Sequence, residues 1–176
     1  VLSYIVTSKY GVSHSELREI LASNDEYWKF FIQSSKHTLE TVKVPSSVVI
    51  RLLSDLSNFT NQQSLFDGLL VYFNHRIVKE SAYEWLKSKN YGYSHEDLFK
   101  YYGSKWRKND LHSIYEVSHQ ALQYDTHAAI DLYTNLDYAI TKIQNSASDI
   151  LRSDLNEVRA NAGMDVFIDF DIEAKS

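Results

Sequence analysis

At 176 residues, 44% of them hydrophobic and 23% charged, the chain has the composition of a globular protein with room for one large domain or two small ones. With no cysteine it cannot build a disulfide, a thiolate metal site or a cysteine nucleophile. Its net charge of −5, with lysines and arginines scattered along the chain, argues against nucleic-acid binding, which draws most of its affinity from positive charge gathered on one face.

The chain opens on "VLSYIVTSKYG", apolar and without an initiator methionine, as if starting inside a helix. It ends on "DVFIDFDIEAKS", where Val166, Ile168, Phe170 and Ile172 alternate with mostly acidic positions in a strand-like pattern. A lone terminal strand needs a partner, so the chain is expected to be a piece of a longer protein. Between these ends, residues 2–9 suggest a short helix closed at Gly11, a left-handed cap. Ser13 and Glu16 form a capping-box pattern, and Leu17, Ile20 and Leu21 supply the inner face of a second helix. In "EYWKFFIQSSKHTLETVKV", Trp28, Phe31 and Ile32 favour a short helix followed by a loop. Pro45 and Ser46 begin a third helix, with Val49, Leu52, Leu53 and Leu56 inward.

"NFTNQQSLFDGLLVYFN" has the polar turn residues and the aromatic and aliphatic flanks of a β-hairpin. Beyond His75 the pattern becomes helical, because Ile77, Val78, Ala82, Trp85 and Leu86 fall on one face. From residue 94 onward the reading is all helix. Leu98, Tyr102 and Trp106 are in line in "SHEDLFKYYGSKW"; Leu111, Ile114, Tyr115 and Leu122 mark the next helix, then Ala129, Ile130 and Tyr133. Leu136, Ala139, Ile140 and Ile143 follow, and Leu151, Leu155 and Val158 close the series. Short helices with short polar connections suggest an array of antiparallel pairs. The fold class expected is therefore mainly α: a winged-helix domain (a three-helix core with a β-hairpin) over 1–89, a helical domain over 90–160, and a strand-like tail over 161–176.

The motifs argue against catalysis. No His-Glu-x-x-His occurs, and the seven histidines show no metal-ligand spacing. His95, Glu96 and Asp97 are consecutive, so on a helix they point in different directions. There is no Gly-rich phosphate loop, no Walker lysine pattern and no nucleophile elbow. No apolar run approaches a membrane span and no signal peptide organises the N-terminus, so a cytoplasmic location is expected. The thirteen tyrosines and three tryptophans read mainly as core and interface material.

His75 has two readings. One is a helix-start histidine packed on the hairpin. The other is a phosphate donor, since an imidazole beside the exposed N–H groups of a helix N-terminus is placed to hydrogen-bond an anion brought from elsewhere.

The order of elements, with "SKYGVSHSELREIL", "VPSSVVIRLLSDL", "DGLLVYFNHRIVKESAYEWL" and "SHEDLFKYYGSKW", resembles STAND-class NTPases of the NACHT type, in particular the telomerase-associated-protein and nephrocystin-like branch. "LYTNLDYAITKIQNSASDILRSDL", residues 132–155, resembles the helical stretch that precedes their repeat domain. The resemblance covers roughly residues 1–155. It implies a winged helix that follows a nucleotide-binding core, and a histidine, usually within Met-His-Asp, that contacts the β-phosphate of ADP in the closed state. His75 occupies that position, flanked here by Asn74 and Arg76. The function so implied is a non-enzymatic regulatory segment. It needs no cofactor of its own, while the parent protein binds ADP or ATP. Its partners are the nucleotide-binding domain of the same chain and a C-terminal repeat or sensor domain. Two other readings stay open. One is a helical scaffold for protein interaction. The other is a winged-helix nucleic-acid reader, whose recognition helix 46–58 would offer only Arg51, against Asp55.

Overall fold

The computed structural model describes residues 1–34, 44–89, 94–145 and 148–162. Among them the chain is mainly helical, with one three-stranded antiparallel sheet. It divides into two units, Val1–Tyr101 and Tyr102–Ser176.

The N-terminal unit begins with helix α1 (Leu2–Thr7), strand β1 (Val12–Ser13), and helices α2 (His14–Ser23), α3 (Asp25–Ser34) and α4 (Ser46–Asp55). Strands β2 (Thr60–Leu65) and β3 (Gly68–Phe73) and helix α5 (Arg76–Ser88) follow. The loop expected after α3 falls on residues outside those described. Strand β3 is central, with β1 on one side and β2 on the other. The hairpin closes on the pair Leu65↔Gly68, and the turn residues Phe66 and Asp67 both have positive φ, 53° and 60°. Two left-handed residues match the twist of a hairpin whose loop is two residues long. Helix α2 starts with the expected capping box: Ser13 Oγ accepts from Glu16 N at 3.2 Å, and Glu16 Oε2 accepts from Ser13 N at 2.7 Å. Leu17, Ile20 and Leu21 are fully buried, as are Ile5, Val12, Val49 and Leu70 around the sheet. Burial of each such side chain contributes about 1.5–3 kcal/mol.

Gly11 has a different role from the one the sequence suggests. Helix α1 ends at Thr7 with an extended Ser8, and Gly11, at φ +101°, stands just before β1. A Cβ there would lie 2.6 Å from the Val71 carbonyl oxygen. The glycine lets β1 approach β3, where Val12 pairs with Val71. The bend before it is held by Ser8 Oγ, which accepts from Gly11 N at 2.8 Å, and by Lys79 Nζ of α5, which donates to Ser8 O at 2.6 Å.

Helix α6 (His95–Gly103) contains the division between the units. The C-terminal unit continues with a 3₁₀ turn (Trp106–Lys108) and helices α7 (Leu111–Tyr124), α8 (Thr126–Thr134), α9 (Leu136–Asn145) and α10 (Ser148–Ala162). Trp106 therefore leaves the helical line of Leu98 and Tyr102. It is buried in the turn, edge-on to Tyr138 at 5.2 Å, and Asn109 ends the turn in a left-handed conformation. The breaks between helices are side-chain caps. Asp110 Oδ2 accepts from Ser113 N at 3.1 Å, Asp125 Oδ1 from His127 N at 3.0 Å, and Asn135 Oδ1 from Tyr138 N at 3.1 Å. Each satisfies an amide that the first helical turn would otherwise leave open. Helix α7 is the centre: it packs on α8, α9 and α10 and buries Ile114, Val117, Ala121 and Leu122. The strand-like pattern beyond Gly163 lies outside the described residues.

Candidate functional site

Strand β3 turns into α5 through Asn74 and His75. Asn74 N donates to Phe59 O at 3.0 Å and Asn74 Nδ2 donates to Asn58 O at 3.4 Å, so backbone and amide contacts fix the corner. His75 is the N-cap residue of α5, with φ −132° and ψ 134°, and its carbonyl accepts from Lys79 N at 3.1 Å. Its imidazole is exposed and makes no capping hydrogen bond. The first turn of α5 holds no acidic residue. The N-terminus of this helix thus presents N–H groups and its positive dipole end with no carboxylate to neutralise them. Arg76 beside it is exposed and pairs with Glu80 Oε1 at 2.5 Å.

The expected apolar face of α5 is only partly covered. Leu86 is buried, whereas Ile77 is 76% exposed and Trp85 49% exposed. Ile77, two positions from His75, is therefore an open apolar residue at this corner.

A concavity of about 360 Å³ lies in the same unit, between α4 and the sheet. His14, Ser54, Ser57, Asn61 and Gln62 line it together with Ile50, Leu53 and Val71. It contains neither His75 nor a charged pair. Among the described residues no cluster of histidine and acidic side chains could hold a metal ion, and no helix is long and apolar enough to cross a membrane.

In the C-terminal unit, sequence reasoning missed a buried polar cluster. Lys142 of α9 is fully buried, and its Nζ lies 3.0 Å from Asp154 Oδ2 on α10. The same ammonium donates to Ile114 O at 3.1 Å and to Ser118 Oγ at 3.4 Å, and stands 4.6 Å from the centre of the Tyr115 ring. Tyr138 OH donates to Ile114 O at 2.9 Å. Burial raises the phenol pKa of Tyr133 and of Tyr138 well above the usual value, and the Asp154 charge adds to both shifts. The available signal was a lysine at the position where the helical period asks for an inward residue: Lys142 follows Tyr138 by four.

The mouse NACHT domain- and WD repeat-containing protein 1 is 25% identical to the chain over 108 residues, 60% of this chain. The chain spans about 7% of the length of that relative. No family model matches the chain, and no solved structure matches it. The similarity is a distant one and hints at a relation to NACHT-type proteins.

Proposed function

We propose that the chain is a regulatory segment of a STAND, NACHT-type ATPase. A winged helix over residues 1–89 and a helical domain over 90–160 hold the nucleotide-binding core of the parent protein inactive. They couple it to a C-terminal sensor or repeat domain, with 161–176 as a strand-like tail or the start of that domain. The segment is itself non-enzymatic and cytoplasmic, and the nucleotide, ADP or ATP, belongs to the parent's core. Two observations support the winged-helix assignment: helices precede a hairpin, and the second hairpin strand lies between β1 and β2. The distant NACHT-protein similarity supports the class.

The observation that carries the regulatory reading is the His75 corner. An exposed imidazole stands at the start of a 13-residue helix whose first turn has no acid and no side-chain cap. A docked nucleotide-binding domain would bring the phosphate to it. A charge-assisted hydrogen bond from His75 to the β-phosphate is worth about 1.5–3 kcal/mol, roughly tenfold to a hundredfold in the closed-to-open ratio. His75→Ala in the full-length protein should therefore speed ADP release by that factor and raise effector-free activity. The isolated segment should keep its melting temperature, because the imidazole makes no capping bond. Unchanged ADP release beside a large loss of melting temperature would end the sensor assignment and leave His75 a structural corner residue.

A further inference from the structure

The sheet of the N-terminal unit has one edge long enough to pair with another strand. Strand β1 is two residues long, whereas β2 runs six, from Thr60 to Leu65, and pairs with β3 on one side only. The hairpin closes on Leu65↔Gly68 and Asn74 N donates to Phe59 O, so Asn61, Gln63 and Leu65 are the residues that exchange hydrogen bonds with β3. The N–H and C=O groups of Gln62 and Ser64, and the C=O of Thr60, point away from β3 and meet no partner among the described residues. The Thr60 N–H is already taken, donating to Leu56 O at 3.1 Å. Natural edges of this kind are guarded by lysine, proline or a bulge. Strand β2 has none of these: it reads TNQQSL, and its register with β3 is unbroken from Thr60 to Leu65. Asn61, Gln62 and Ser64 are exposed.

We propose that β2 is a self-pairing edge: two copies of the chain join β2 to β2, antiparallel about a two-fold axis, and their three-stranded sheets become one continuous sheet. The outward groups of β2 fix the register. Gln62 stands opposite Gln62 of the second copy, and Thr60 opposite Ser64. The Gln62 N–H then donates to the Gln62 C=O and the Ser64 N–H to the Thr60 C=O, each in both directions across the axis. A second copy is selected because the edge is its own complement: every free outward donor meets an acceptor in this one register. The facing side chains, Gln62 with Gln62, Thr60 with Ser64 and Asn61 with Gln63, carry no charge to repel its like. The approach is also open. Gln62 lies across from Val71, and both line the concavity between α4 and the sheet. A two-fold axis perpendicular to the sheet keeps its faces continuous, so the incoming Gln62 side chain meets that concavity, beside Ser54 and Ser57, and not a packed wall. Pairing along one strand buries little area, which places this dimer with weak, transient interfaces. It rests on the strand alone and does not depend on the function proposed above.

The chain has no cysteine, so single introduced cysteines test the register. Opposed Cα atoms of a hydrogen-bonded antiparallel pair lie about 5.5 Å apart, within the span of a disulfide. Gln62→Cys faces its own copy at that distance. Ser64→Cys, also exposed, stands about 14 Å from its copy, too far to bridge. Under mild oxidation of the whole chain, Gln62→Cys should form covalent dimer at least about tenfold faster than Ser64→Cys. Sedimentation velocity on the unmutated chain should show a dimer fraction that grows with concentration up to about 1 mM. Gln62→Lys sets two ammonium groups against each other at the axis and should weaken association at least about tenfold. Its melting temperature should not change, because the Gln62 side chain is exposed and its backbone lies outside the β2–β3 ladder. A chain that stays monomeric at about 1 mM, equal oxidation rates for the two cysteines, or a lysine variant that dimerises as tightly as the parent would overturn the pairing.

Discussion

Gly11→Ala tests how the sheet of the N-terminal unit is assembled. The new Cβ would meet Val71 O at 2.6 Å, Val71 C at 3.1 Å and Tyr72 Cβ at 3.3 Å. Two of these three atoms are backbone of the central strand, so no side-chain rotation relieves the contact. The residue must also keep φ near +101°, outside the small left-handed region open to alanine. Backbone strain of this kind costs about 1–3 kcal/mol, and forcing an extra methyl into a packed site about 1–3 kcal/mol more. The sum, about 2–6 kcal/mol, is a large share of the roughly 5–15 kcal/mol that holds a domain folded. Gly103→Ala is the internal control, since a Cβ there meets nothing within 4 Å. The same unfolded-state entropy change applies to both substitutions, so their difference isolates strain and contact. Urea denaturation followed by circular dichroism should give Gly103→Ala equal to or up to about 1 kcal/mol above the parent. Gly11→Ala should lie at least about 2 kcal/mol below it. If the two variants fall within about 0.5 kcal/mol of each other, the close approach of β1 to β3 through Gly11 is refuted.

Other outcomes follow from single contacts. Ser13→Ala removes the reciprocal cap of α2 and should cost about 1 kcal/mol in the same titration. Burial raises the phenol pKa of Tyr4, Tyr133 and Tyr138, and for Tyr4 the acceptor carboxylate of Asp97 at 2.7 Å adds to the shift. The folded state then keeps these protons where the unfolded chain releases them, so their stabilisation is complete below about pH 10 and is lost as pH rises beyond it. Phenolate absorbance from these three should appear only together with unfolding; full ionisation of all thirteen tyrosines while the helical signal is intact would contradict this. Duplex DNA at low salt should show no shift with the chain, because α4 carries Arg51 as its single cation. Calorimetric titration of the isolated chain with ADP or ATP should be flat, since the function proposed above gives the His75 corner only one wall of the phosphate site, the rest lying in the parent's nucleotide-binding core.

Local chemistry was legible where one short signal suffices. The Ser13/Glu16 box, the hairpin ending at Phe73 and the helix beginning after His75 all stand where the residues put them. What escaped depends on partners distant in the chain. Strand β1 is only Val12 and Ser13, too short for any alternation to show, and it exists because Val71 and Leu70 lie alongside. Gly11 was visible as a left-handed residue, but the reason for it, a carbonyl sixty residues on, was not. Trp106 matched a helical period that Gly103 and the turn after it interrupt.

Periodicity misleads most on two helices. On α5 and α9 the apolar stripe is present in the sequence, but periodicity marks a face without saying whether this chain covers it. Ile77 stays open beside the uncapped start of α5 and Trp85 half open in its last turn, while Leu136, Ile140 and Ile143 stay at least partly open on α9. Complete burial of such a group contributes about 1.5–3 kcal/mol, and these five, between 43% and 76% exposed, realise only part of it. Disagreement between local pattern and packing is the mark of a site where another requirement has won. In the function proposed above, the requirement at the His75 corner is a surface able to meet an anion carried by a second domain.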